Sequence, residues 1–150
     1  MFQRIARALA VTGILYHLPG LAMAADTVAP AAAPAPIVFF DIAGPDAAKL
    51  RSFYGTAFGW KIGPSNLIGK DSTGNLDGTL RQDPPQKILY LGVPDVTAAL
   101  KAVVEAGGAV VQPRFEVSGV VVLGLFTDPA GNAMGLVEMK DGKPVVPAAR

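Results

Sequence analysis

The sequence repeats one pattern between residues 37 and 139, and this repeat restricts the possible fold more than any other feature. Each copy opens with an apolar, strand-like run, at residues 37–42 and again at residues 88–93. Pro-Asp and a helical pattern follow, and glycine ends both helices. Each copy then passes through a turn with the pattern Asp-x-x-Gly-Asn into its last strand. Two copies of one supersecondary unit are therefore predicted.

The helix of each copy has recognisable ends and an apolar face. Asp46 and Asp95 stand where a carboxylate can accept hydrogen bonds from the first free amides of a helix, and Gly59 and Gly107 suit its left-handed end. The apolar residues between these ends recur at helical spacing. They are Leu50, Phe53, Tyr54, Ala57 and Phe58 in the first copy, and Val96, Leu100, Val103 and Val104 in the second.

Each copy has room for two further strands between its helix and its Asp-x-x-Gly-Asn turn. These strands are predicted at residues 60–63 and 67–70, then at 109–112 and 117–126, with a bend at Ser118-Gly119. Each copy then reads βαβββ, as module one (37–81) and module two (87–139). Residues 141–150 form a C-terminal tail.

These segments resemble the vicinal oxygen chelate (VOC) superfamily, which includes glyoxalase I, bleomycin-resistance proteins and extradiol dioxygenases. The resemblance rests on IVFFDIAGPDAAKLRSFYGTAFGW (37–60), ILYLGVPDVTAALKAVVEAGGAVVQP (88–113) and FTDPAGNAMGLVE (126–138). It implies an α+β domain over residues 37–140, in which two βαβββ modules form curled mixed sheets around a shared cavity. It also implies a homodimer.

The resemblance further implies a metal site on four strands, two from each module. The matching positions here are Phe39, Gly78, Ile88 and Gly135, and none of these side chains can bind a metal. A site built only from carboxylates would favour Mg²⁺ or Ca²⁺. The available carboxylates are Asp41, Asp77, Glu116, Asp128 and Glu138. We expect no metal and no other cofactor.

The alternation of side chains along strands predicts which residues line the cavity. Asp41 shares a face with Phe39, and Tyr90 shares a face with Ile88. With Gly78 and Gly135, the positions that the resemblance assigns to the last strands, the ligand-binding wall is predicted to consist of Phe39, Asp41, Gly78, Ile88, Tyr90 and Gly135. One interpretation is a largely apolar pocket whose acid and phenol orient a ligand or transfer protons. In the other, Asp41 caps a loop, Tyr90 fills space, and the two glycines are ordinary strand positions.

Two further positions, Trp60 and Arg114, allow two interpretations each. Trp60 could stack on a ligand or belong to the core, while Tyr54 and Phe58 are predicted to be buried on the helix's apolar face. Arg114 could meet an anion at the cavity mouth or be a solvated arginine in a loop.

The first 36 residues differ from the rest of the chain. Arg4 and Arg7 precede an apolar stretch over residues 8–18, and Ala22-Met23-Ala24 matches the site after which signal peptidase cuts. Residues 1–24 are therefore predicted to be a signal peptide. The alternative is an uncleaved anchor, although His17, Pro19 and Gly20 interrupt the stretch. Residues 25–36 are rich in alanine and proline and predict an extended linker.

Composition excludes several functions. The chain has no cysteine and one histidine, His17, which lies inside the predicted signal peptide, so triad and thiol chemistry is excluded from the mature protein. The formal charge is only +1, and the sequence has no cluster of basic residues of the kind that binds nucleic acid. Three functions stay open: an exported small-molecule binder, a metal-independent lyase or isomerase using Asp41 and Tyr90, and a dimeric interaction module without a ligand.

Export can be tested directly. We expect the protein to be periplasmic or secreted, with no stable membrane insertion after cleavage, and its mature chain to begin at Ala25. N-terminal sequencing of the fractionated protein measures this. An intact N-terminus in the membrane fraction would contradict the prediction.

Overall fold

The computed structural model describes residues 33–150. The predicted signal peptide and most of the predicted linker lie outside these residues. The helices are α1 (Ala47–Phe58), the one-turn α2 (Lys70–Thr73) and α3 (Val96–Glu105). Among residues 33–150, no helix has both the length and the hydropathy required to cross a membrane.

Within the described residues, eight strands accompany these helices and form a mixed sheet. They are β1 (Ile37–Gly44), β2 (Leu67–Ile68), β3 (Asp77–Gln82), β4 (Gln86–Val93), β5 (Ala109–Val117), β6 (Val121–Thr127), β7 (Ala133–Lys140) and β8 (Lys143–Pro144). The order across the sheet is β2-β3-β1-β4-β7-β6-β5, and β8 pairs with β7. The predicted α+β fold with a curled mixed sheet is confirmed.

The two modules meet where β1 pairs antiparallel with β4. On either side of this junction the arrangement repeats, because β1 pairs in parallel with β3 and β4 pairs in parallel with β7. The last strand of each module thus lies beside the first strand of the same module. The sequence repeat therefore appears as two similar halves of one sheet.

The helix ends form as the sequence predicts. Asp46 accepts a hydrogen bond from the Lys49 amide at 2.9 Å, and Asp95 accepts one from the Ala98 amide at 2.9 Å. Gly59 ends α1 in the left-handed conformation, with φ of 68°. The hydrogen bonds of Asp46 and Asp95 satisfy amides that the start of a helix leaves without partners inside the helix.

Helix α3 packs tightly on its side of the sheet. Val96 has no exposed surface, and Leu100 is buried beside Phe126 of β6 and Leu136 of β7. Gly124 of β6 lies beneath this contact, since a Cβ atom there would be 2.6 Å from Cγ1 of Val96. The absence of a side chain at this position allows the helix to approach the strand closely.

Module one has fewer strands than the sequence predicts. Residues 60–63 make only a single bridge, between Ile62 and Ile68, and the strand predicted at residues 67–70 ends at Ile68. Lys70 begins α2 instead. Proline at position 64 has no amide to donate to a strand partner, which limits pairing there.

In module two the strand boundaries differ from the prediction. β5 continues through Pro113 to Val117, and β6 starts at Val121, after a turn in which Gly119 has φ of 68°. Pro113 is accommodated because β5 is an edge strand, so its missing amide hydrogen leaves no inner partner unpaired.

The predicted burial of the α1 aromatic residues is wrong for Phe58. Phe58 is 63% exposed and its neighbour Phe53 is 57% exposed. Tyr54 is half-buried and stacks on Trp60, with ring centroids 4.9 Å apart. These rings pack on one another beside the helix, whereas the apolar face of α3 packs on the sheet.

The close contact at Gly124 yields a stability prediction. We expect Gly124→Ala to lower the free energy of unfolding by about 1–3 kcal/mol, because the added methyl group overlaps the Val96 side chain. Gly69→Ala is the matched control, since its Cβ would meet no atom within 4 Å and its φ of −80° suits alanine. The control should change stability by less than about 0.5 kcal/mol. Urea unfolding measures the free energy of unfolding of both variants. Equal changes in the two variants would contradict the packing argument.

Candidate functional site

A cavity of about 1100 Å³ is lined by the strands of both modules. β1 and β4 run through its centre, so residues that alternate along these two strands face into it. Phe39, Asp41, Ile88 and Tyr90 all line this cavity, as the sequence predicts. The rings of Phe39 and Tyr90 meet edge to face, with centroids 5.8 Å apart.

The cavity has a polar side and an apolar side. β3 contributes Asp77, Thr79 and Arg81 from module one. The strands of module two contribute almost entirely apolar side chains. These are Phe115, Val117, Val121, Leu123, Leu125, Val137 and Met139.

Asp41 is the buried charged residue of the cavity, with 3% of its surface exposed. Its Oδ2 accepts a hydrogen bond from the Tyr90 hydroxyl at 3.0 Å. The same oxygen accepts one from Nε of Arg81 at 3.3 Å, and Arg81 also pairs with Asp83. The other carboxylate oxygen, Oδ1, is buried and has no hydrogen-bond partner among the described residues.

This arrangement keeps the Tyr90 phenol protonated. Burial raises the pKa of Tyr90 above its ordinary value of 10.0, and the negative charge of Asp41 raises it further. At neutral pH the phenol therefore donates its hydrogen to Asp41 and does not act as a base.

Gly78 does not line the cavity. A Cβ atom at Gly78 would lie 2.3 Å from Cζ of Phe40, on the opposite side of the sheet from Asp41. Gly78 is paired with Phe40, whereas Thr79 is paired with Asp41 and shares its face. The prediction for β3 was therefore displaced by one residue, and in a strand this reverses the face.

Gly135 is on the cavity side but is covered. It pairs with Tyr90, and a Cβ atom there would lie 2.1 Å from Cδ1 of that ring. The glycine makes room for Tyr90, so the phenol and not Gly135 forms the wall. The prediction that Gly135 itself lines the cavity is wrong for this reason.

Sequence reasoning missed the polar face of β3. The run Asp-Gly-Thr-Leu-Arg from Asp77 to Arg81 alternates polar residues with Gly78 and Leu80, and Leu80 is buried at 2% exposure. This alternation within the strand was the available signal, because it assigns Asp77, Thr79 and Arg81 to one face.

The residues present do not fit the superfamily's metal. Phe39, Ile88, Gly78 and Gly135 offer no ligating atom. Among residues 33–150, no group of three or more His, Cys, Asp or Glu side chains is arranged to hold a metal ion. The other carboxylates considered from the sequence are engaged elsewhere. Asp77 pairs with Lys70, Glu116 and Glu138 pair with Arg114, and Asp128 binds Asn132 within its turn.

Arg114 lies in a strand and not in a loop. Its Nε and Nη2 atoms donate to the two carboxylate oxygens of Glu138 at 2.9 and 3.0 Å. Glu138 also accepts a hydrogen bond from the Val96 amide at 3.4 Å, and the guanidinium of Arg114 lowers the pKa of Glu138. This ion pair connects β5, β7 and the start of α3, so the role of Arg114 is structural.

Comparison with known proteins agrees with this architecture. The sequence profile of the family described as "Glyoxalase-like domain" matches residues 37–137. "Putative glyoxylase CFP32" of Mycobacterium bovis is 27% identical over 111 residues, which cover 64% of this chain and 42% of that protein. The protein of the same name from Mycobacterium tuberculosis gives the same values. The chain thus spans about two fifths of the length of these curated relatives.

Solved structures share the fold at low identity. The hypothetical protein BH1468 of Bacillus halodurans C-125 aligns with a TM-score of 0.55 and 13% identity, over 73% of this chain and 98% of that one. A methylmalonyl-CoA epimerase variant of Streptomyces coelicolor aligns with a TM-score of 0.52 and 15% identity, over 74% and 99%. These similarities concern the fold alone.

The Tyr90–Asp41 bond can be tested by stability. Tyr90→Phe should lower the free energy of unfolding by about 1–3 kcal/mol at pH 7, because a buried carboxylate loses a donor. Since the pKa of Tyr90 is raised in the folded state, its contribution is complete below pH 10 and declines as the pH rises above 10. The gap between wild type and variant should therefore narrow in that range.

Urea unfolding between pH 7 and 11 measures both effects. Tyr54→Phe is the matched control, because that ring packs on Trp60 and its hydroxyl is not part of the Asp41 cluster. A Tyr90→Phe variant as stable as Tyr54→Phe at pH 7 would contradict the role given to this bond.

Proposed function

The chain belongs to the glyoxalase-like domain family of the VOC superfamily, and from this premise we propose that it is an exported protein that binds a small molecule in its cavity without a metal ion. The observation that carries this proposal is the cavity itself. Its volume of about 1100 Å³ is slightly above the range usual for small-molecule sites, which is roughly 300–1,000 Å³, so a small molecule has room to bind.

The composition of the cavity walls supports binding. Most of the lining is apolar, and three of its polar side chains, Asp41, Tyr90 and Arg81, form one hydrogen-bonded cluster. Apolar walls provide affinity by removing ligand surface from water, while a few placed polar groups fix the ligand's orientation.

The residues at the superfamily's metal positions support binding without a metal. In metal-dependent members a Lewis acid would polarise substrate oxygens, and the side chains of Phe39 and Ile88 cannot hold one. The proposal of export rests on the sequence of residues 1–24.

A second candidate function is metal-independent proton transfer, as in a lyase or isomerase. It is favoured by Oδ1 of Asp41, a carboxylate oxygen that no donor occupies in the described part of the chain. Asp41 would be the general base, while Tyr90 would hold the carboxylate in place through its hydrogen bond. No second proton-transfer group accompanies Asp41 in the cavity as clearly, and for this reason we favour binding.

The cavity proposal is tested by a thermal-shift screen of apolar small molecules, with EDTA present throughout. A bound compound should raise the melting temperature by mass action. Leu123→Trp places a large ring in the cavity and should abolish the shift. Leu89→Trp is the matched control. Leu89 is on the face of β4 opposite to Ile88 and Tyr90, is 42% exposed and does not line the cavity. This variant should keep the shift.

Recovery of the compound separates the two candidates. A ligand recovered unchanged supports binding, whereas a product that forms with wild type and not with Asp41→Asn establishes the enzyme. If Leu123→Trp and Leu89→Trp respond alike to every active compound, the cavity is not the binding site.

A further inference from the structure

The partners of Asp41 leave its carboxylate incompletely satisfied. A carboxylate can accept about four hydrogen bonds, yet both bonds observed here go to Oδ2, from Tyr90 and Arg81. Oδ1 accepts none among the described residues. A buried acceptor without a partner costs free energy, so a group that donates to it is stabilised on binding.

The charge around Asp41 determines what kind of donor suits the cavity. The lining includes the acidic residues Asp41, Asp77 and Asp83 and the basic residues Lys70 and Arg81. The walls therefore carry three carboxylates against two cations, a balance of −1. Both cations are already paired, Lys70 with Asp77 and Arg81 with the other two carboxylates. This balance favours a cation over an anion.

The apolar side of the cavity determines the rest of the ligand. Module two presents Leu123, Leu125 and Val137 opposite the polar strand β3. A molecule that fills both sides must therefore have an apolar body with its polar group at one end. Burial of that body against an apolar wall removes it from water and so contributes to affinity.

We infer that the ligand of this cavity is an apolar molecule with a hydrogen-bond donor at one end, an amine in preference to a hydroxyl, which donates to the Asp41 carboxylate. This inference rests on the proposed function. The carboxylate turns about a soft terminal torsion, so either of its oxygens can meet a donor that enters from the cavity. A carboxylate ligand is disfavoured, because it would bring a further negative charge beside Asp41.

Three naphthalene probes with the same apolar body test this inference: naphthylmethylamine, naphthylmethanol and naphthoate. Their dissociation constants for the full mature chain are measured by titration at pH 7. We expect the affinity to fall from the amine to the alcohol to the carboxylate. The amine should exceed the carboxylate by about tenfold or more, because charge-assisted hydrogen bonds are the stronger ones.

Two variants of the same chemical type locate the preference. Asp41→Asn should lower the affinity for the amine by about tenfold. It should lower the affinity for the alcohol by less, since the amide oxygen still accepts a hydrogen bond. Glu105→Gln removes a carboxylate of α3 that does not line the cavity, with its side chain 65% exposed, and should weaken binding of the amine by less than about twofold. Equal losses in the two variants would overturn the role of Asp41.

A third variant acts in the opposite direction and does not depend on Asp41→Asn folding. Arg81→Gln removes the cation from Asp41, and so it should increase the ratio of amine to carboxylate affinity. A decreased ratio, or naphthoate as the tightest probe for wild type, would overturn the inference while leaving cavity binding intact. If none of the three probes binds, while Leu123→Trp and Leu89→Trp also respond alike in the thermal-shift screen, the proposed function fails as well.

Discussion

The antiparallel pairing of β1 with β4 is the interaction on which the site depends. It joins the two modules into one sheet, and its register places Phe39 opposite Tyr90 and Asp41 opposite Ile88. Because neighbouring residues of a strand face opposite sides, a slip of one residue would direct Tyr90 away from Asp41. The 3.0 Å bond between these two side chains thus exists only in the observed register.

Burial of Asp41 at this junction has a thermodynamic consequence. Removing a carboxylate from water is unfavourable, and the donors Tyr90 and Arg81 offset only part of that free energy, while Oδ1 has no partner within residues 33–150. An apolar residue of similar size would fill the position without this penalty. The buried charge of Asp41 is therefore not accounted for by stability, which supports the proposed ligand, and such positions are where local rules of packing are expected to fail.

Much of the fold follows from periodicity, whereas the site follows only in part. The repeat, the helix caps at Asp46 and Asp95 and the facing of Asp41 and Tyr90 are local properties, and sequence reasoning recovered them. The prediction for Gly78 rests on the superfamily resemblance and not on the alternation in its own strand, and the structure reverses its face. The cover of Tyr90 over Gly135 and the exposure of Phe58 depend on tertiary contacts that no local pattern specifies.

Comparison of the two modules shows where the repeated unit has diverged. In module two, β7 presents Val137 and Met139 toward the cavity, while the corresponding strand β3 presents Asp77, Thr79 and Arg81. In both halves the last strand pairs in parallel with the first strand, so at these positions the difference lies in the side chains. A cavity built from two equal halves would accept a symmetric ligand in either direction. This divergence gives the cavity one polar and one apolar side, and a ligand with one polar end can then bind in a single orientation.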